Sequence, residues 1–78
     1  MTNIESFIAD KLFRKRLSNA RKSLHLTQSQ VAEKSGLSTS TISSIENIDG
    51  ITSPTLRSLI KYASAIGISI DIRFNEED

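Results

Sequence analysis

Cysteine is absent from the 78 residues, which excludes a disulfide framework and a thiol nucleophile. Histidine occurs once, as His25, which argues against an all-protein metal site and leaves a nucleophilic serine only this one imidazole as base. Paired carboxylates in apolar surroundings and a glycine-rich phosphate loop are missing as well, so the expectation is that the chain is not an enzyme and carries no cofactor and no metal. No apolar run approaches the roughly 18 residues of a membrane span, and the first residues lack the apolar stretch of a signal peptide. A soluble, cytoplasmic protein is the expectation, and the lack of cysteine fits a reducing compartment.

A chain of 78 residues is the size of one domain, residues 1–78. At that size only about 60% of the unfolded surface is buried on folding, so the core is thin. With disulfides and metal set aside, tight helix packing and a partner subunit remain as sources of stability.

The overall charge of +1 conceals an asymmetry. Residues 1–44 carry seven cations (Lys11, Arg14, Lys15, Arg16, Arg21, Lys22, Lys34) against three anions, whereas residues 45–78 carry three cations against six anions. The basic half suggests a polyanionic partner, and Arg14, Lys15, Arg16, Lys22 and Lys34 are expected to supply diffuse attraction from a solvated face. Ordinary solvated helix faces would account for the charge equally well on this ground alone.

Ile4, Phe7, Ile8, Leu12, Phe13, Leu17, Ala20 and Leu24 recur at steps of three to five, which predicts one long helix or two short ones within residues 3–24. Thr27-Gln-Ser-Gln30 is a capping box, so a second helix is predicted from about 28 to 35, ended by Gly36. Leu37 is expected to be buried in the turn and Ser38 to cap a third helix whose inner face holds Ile42 and Ile45. Ser53-Pro54 reads as the cap and first position of a fourth helix, with Leu56, Leu59, Ile60, Ala63 and Ile66 as its apolar stripe and Gly67 as its stop.

Beyond Gly67 the period changes to two. Ile68, Ile70, Ile72 and Phe74 alternate with Ser69, Asp71 and Arg73, the pattern of one half-buried strand with no second strand elsewhere in the chain. An unpaired apolar strand is an exposed edge, so residues 67–74 are expected to pair with the same strand of a second copy, leaving 75–78 as an acidic tail. Irregular packing of the strand on its own subunit is the alternative.

The stretch QSQVAEKSGLSTSTISSIEN (28–47) meets several physical demands at fixed spacing: a small Ala32 where two helices cross, Gly36 at the turn, and Val31, Leu37, Ile42 and Ile45 as a miniature core. From about Leu17 to Ile68, through LTQSQVAEKSGLSTSTISSIEN and SPTLRSLIKYASAIGIS, the chain resembles the Xre-type, phage-repressor-like helix-turn-helix family. Within that family it is most similar to HipB-like antitoxins, in which four helices precede a strand that builds an intersubunit sheet, the place held here by ISIDIRF. The resemblance implies a mostly α, lambda-repressor-like fold of four or five short helices around a central helix-turn-helix, with one C-terminal strand pairing across a homodimer.

It also implies roles for residues. Helix three would lie in the major groove with Thr39, Ser40 and Ser44 at base-contacting positions and Ser43 a further candidate. Hydroxyls read many bases and no arginine, glutamine or asparagine lies on the early exposed face, so several weak contacts plus DNA shape are expected to set specificity. Gln28, Ser38, Asn47 and Lys34 are the candidates for phosphate contact, a mere cap role being the lesser alternative for Gln28 and Asn47. Arg21 and Glu46 match a structural ion pair of the family, and His25 is expected to be a partly exposed linker residue. The implied partners are double-stranded DNA bearing a pseudo-palindromic operator, a second copy of the chain and a HipA-like toxin kinase. A stand-alone phage-type repressor is the runner-up, and a protein-binding helix-turn-helix that does not touch DNA the third reading.

Overall fold

The architecture is seen in a computed structural model that describes residues 3–51 and 53–70, with side chains from Lys11 onward. Four helices follow one another: α1 (Asn3–Ser23), α2 (Gln28–Ser35), α3 (Thr39–Glu46) and α4 (Leu56–Ala65). α2 packs on both α3 and α4, while α1 lies across α3 and α4. Their shared core is Leu17, Val31, Ala32, Ile42, Ile45, Leu59, Tyr62, Ala63 and Ile66, flanked by partly buried Phe13, Ala20, Leu26 and Leu37.

α1 is one continuous helix, but its buried stripe differs from the expected one. Leu12 and Leu24 are 56% and 52% exposed, whereas Arg14, Leu17 and Ser18 are buried. Positions 14, 17, 18 and 21 are spaced i, i+3, i+4, i+7, so the face turned inward is partly polar and holds two arginines. The helix stops without a glycine: His25 takes a left-handed φ of 59°. Its N–H donates to the Lys22 carbonyl at 3.0 Å and that of Leu26 to the Arg21 carbonyl at 3.2 Å, a Schellman closure. His25 is therefore a helix terminator, a more specific role than linker.

α2 begins and ends as expected. The Thr27 hydroxyl accepts from the Gln30 N–H at 3.0 Å, and the Gln30 side chain accepts from the Thr27 N–H at 2.8 Å. Gly36 closes the helix at φ 77°, and Leu37, next in the turn, packs against the core. α4 starts two residues later than Ser53-Pro54 implied. The cap is Thr55, whose hydroxyl accepts from the Ser58 N–H at 3.1 Å, and Pro54 stands before the helix. The inward face is accordingly Ser58, Leu59, Tyr62, Ala63 and Ile66, leaving Leu56 and Ile60 exposed.

Gly67, at φ 82°, and Ile68 repeat the Schellman closure, with Gly67 N–H on the Ser64 carbonyl and Ile68 N–H on the Ala63 carbonyl at 2.8 Å. Ile68 and Ile70 lie partly buried against the chain's own core, and no strand occurs among the described residues. The remainder of the expected strand, with Ile72 and Phe74, and the tail 75–78 lie outside the described residues. Among the described residues no helix is long and apolar enough to cross a membrane.

Candidate nucleic-acid interface

Two helices of eight residues each, α2 and α3, are joined by the left-handed turn at Gly36. Ile42 and Ile45 drive one side of α3 into the core with no exposed surface. The opposite side is left for contact. Thr39, Ser40 and Ser43 are exposed there, and Ser44 is half-buried. The structure thus gathers all four expected base-reading residues on one helix, three of them fully presented. Ser40 and Ser44 also edge an open groove of about 430 Å³ that continues over Leu37, Thr41, Ser53, Pro54, Thr55 and Ser58, a mostly apolar surface studded with hydroxyls.

The expected phosphate contacts divide. Lys34 is exposed at the end of α2. The Ser38 hydroxyl caps α3, accepting from the Thr41 N–H at 3.1 Å and sharing a 2.9 Å hydrogen bond with the Thr41 hydroxyl. Asn47 ends α3, its N–H on the Ser43 carbonyl. The Gln28 side chain turns inward, its Nε2 donating to Glu46 Oε1 at 3.1 Å, so what it offers an anion is the backbone at the start of α2.

Glu46 is the centre of the fixed side of this unit. Arg21 grips it with two prongs, Nε to Oε2 at 2.6 Å and Nη2 to Oε1 at 2.9 Å, as the sequence led one to expect. The same arginine donates from Nη1 to the Leu26 carbonyl at 2.7 Å, tying down the α1–α2 connection. Ser18, Gln28 and the Tyr62 hydroxyl also donate to Glu46, so one carboxylate joins all four helices. Burial opposes charge on the Glu46 carboxyl, but the donors from Arg21, Tyr62 and Gln28 outweigh it and hold the group below the ordinary carboxylate range. Burial, together with the hydrogen bond and charge of Glu46, pushes the Tyr62 hydroxyl well above its usual value. The Arg21 guanidinium is raised, chiefly by its hydrogen bond to Glu46.

Sequence reasoning missed two members of this scaffold. Tyr62 gave no signal beyond its place one turn after Leu59. Arg14, expected on the solvated basic face, is 4% exposed and donates to carbonyls at the end of α3. Its spacing from Leu17 and Arg21 was the available clue. Lys15, Arg16 and Lys22 do lie exposed.

A short helix held by a capping box, a left-handed glycine turn and a second helix with its outer face bare define a helix-turn-helix domain. The chain belongs to the Xre-type helix-turn-helix family: a family model described as Helix-turn-helix matches residues 17–72. This is a family of DNA-binding regulators and not of enzymes. The chain is also similar to the cryptic phage CTXphi transcriptional repressor RstR of Vibrio cholerae serotype O1, with 40% identity over 58 residues, covering 74% of this chain and 50% of that protein. The chain therefore spans about half the length of this curated relative. No solved structure gives a significant match.

Proposed function

We propose that the chain is the DNA-binding domain of a transcriptional repressor that reads its operator with α3. One observation carries this reading: α3 is clamped through Ile42, Ile45 and Glu46, while Thr39, Ser40 and Ser43 face outward from the same two turns. A rigid helix with a polar outer face suits the major groove, where Thr39, Ser40, Ser43 and Ser44 meet base edges and hydroxyls exchange hydrogen bonds with several bases. Lys34, the N-terminus of α2 and the residues around Ser38 and Asn47 contact phosphates on either side. The exposed Lys15, Arg16 and Lys22 add attraction at longer range.

Repression follows from occupancy of a promoter by two such units. Residues 68–74 pair between two copies, presenting two α3 helices roughly 34–36 Å apart to a pseudo-palindrome. The period-two alternation of Ile68, Ile70, Ile72 and Phe74 supports this pairing. Function in the cytoplasm follows from contact with DNA. The phage relative, named as a transcriptional repressor, favours the first reading, a phage-type repressor. The alternating C-terminal segment favours the second reading, an antitoxin that also holds a HipA-like kinase. Co-purification of such a kinase with the tagged chain from its own cells supports the second reading, and its absence leaves the first.

Footprinting of the purified protein on the DNA upstream of its own gene, across a salt series, tests the proposal. Protection of a two-fold related site, with log K falling steeply against log salt, is the expected result. Weak binding that protects no site would set DNA recognition aside in favour of a protein partner.

A further inference from the structure

We propose that Arg14 is a positioning residue of the DNA interface, fixing the angle at which α3 is presented without touching DNA itself. The inference rests on the DNA-reading role of α3 given above. The last carbonyls of a helix have no partner within it and carry partial negative charge. Helices commonly meet that need with a left-handed glycine cap or a basic residue in the final turn. α3 has neither: its cap Asn47 lies at φ −87°, ψ 80°, and no basic residue stands in its last turn.

Arg14 supplies the missing donors from another helix. Its Nε donates to the Ile45 carbonyl at 2.8 Å and its Nη2 to the Ser44 carbonyl at 3.0 Å; Nη2 also joins the Gly50 N–H on the Asn47 carbonyl, at 3.1 Å. These contacts cross 30 to 33 residues of chain. The planar guanidinium holds its N–H groups at fixed angles, so engaging three carbonyls sets a direction and not only a distance. Seven residues further along α1, Arg21 holds the Glu46 side chain at the same end of α3. The two arginines thus grip the last turn of α3 by backbone and by side chain, opposite the end that carries Thr39 and Ser40. A helix of eight residues has little stability of its own, and its tilt is whatever these tertiary contacts make it.

Arg14→Lys and Arg14→Met test the proposal on the full chain; lysine keeps the charge without the fork, and methionine keeps most of the apolar stem. With circular dichroism confirming a folded protein, affinity for the footprinted DNA is expected to fall on the order of tenfold or more in Arg14→Lys. The slope of log K against log salt is expected to stay that of the unsubstituted protein. Lys34→Gln serves as the contrast, its slope falling by about one phosphate contact. A slope reduced in the Arg14 variants would make Arg14 a phosphate ligand and overturn the proposal. Unchanged affinity in a variant with a lowered melting temperature would reduce Arg14 to a stabilising residue and overturn it as well.

Amide exchange without DNA gives a readout independent of operator binding. The Asn47 and Ile48 N–H groups donate to the Ser43 and Glu46 carbonyls, and they are expected to exchange faster in Arg14→Lys while those of α2 do not. Equal exchange in both proteins contradicts the proposal. If the unsubstituted protein binds no DNA, the proposed function fails, and exchange at Asn47 and Ile48 still decides whether Arg14 holds α3.

Discussion

Glu46 shows how much of this molecule depends on single polar side chains. Its carboxylate and the Arg21 guanidinium are 9% and 12% exposed, so neither charge has water as a ready substitute partner. Glu46→Gln leaves Arg21 facing an amide and is expected to cost about 3 kcal/mol, the range for breaking one side of a buried pair. In a domain this small each kcal/mol corresponds to roughly 4–8 °C in the thermal midpoint, which a melting curve resolves easily. The pH dependence has a definite sign. Glu46 is held below the ordinary carboxylate value in the folded chain, so its contribution is complete above about pH 4.3 and is lost as pH falls below that. Tyr62 is raised, so its contribution is complete below about pH 10 and is lost as pH climbs past it. Stability measured by denaturant titration at several pH values should show both limbs, and Tyr62→Phe should flatten the alkaline one. A stability that stays level across acid pH in the unsubstituted protein would contradict this account of the Glu46 cluster.

At the scale of elements, boundaries come from a few atoms at each helix end. Gly36 at φ 77° has nothing within 4 Å of where a Cβ would stand, so Gly36→Ala meets backbone strain alone and is expected to cost roughly 1–2 kcal/mol. His25→Gly is the reverse case: relief of a left-handed non-glycine residue should offset the added chain entropy and leave the protein level or up to about 1 kcal/mol more stable. Urea midpoints of the two variants check both signs. The contrast between these ends explains what was legible beforehand. The bounds of α2 were readable because Thr27, Gln30 and Gly36 act within a few residues of each other, and the start of α3 because Ser38 caps locally. The end of α1 was not, since nothing in a histidine announces a left-handed turn. The buried face of α1 was misread because Arg14 looks like any solvated cation until the distant carbonyls of α3 are brought to it. α4 was misphased because Ser53-Pro54 imitates a cap that Thr55 provides two residues on, and the apolar Leu56 and Ile60 then fall outside the core. Of the site, the bare face of α3 was readable from spacing and the Arg21–Glu46 pair from the family resemblance alone; the inward turn of Gln28 and the reach of Tyr62 depended on tertiary placement.

For the whole molecule, the question is how one small unit becomes a reader of a longer site. Ile70 already lies against the chain's own core, so a charge there would harm the fold together with any pairing. Ile72, next on the alternating face, is the more informative position. Ile72→Asp is expected to shift the protein to monomers in sedimentation and to weaken operator binding by far more than it lowers the melting temperature. Dimers that persist in that variant would place the interface elsewhere. The central claim, however, is that the hydroxyl face of α3 reads bases. Selection of preferred sequences from a random DNA pool, run in parallel on the unsubstituted protein, Thr39→Ala and Ser40→Ala, tests it most directly. Each variant is expected to lose discrimination of about 1–3 kcal/mol at one base position in each half-site and to keep its preferences elsewhere. Identical preference profiles for all three proteins would show that α3 does not read DNA through this face.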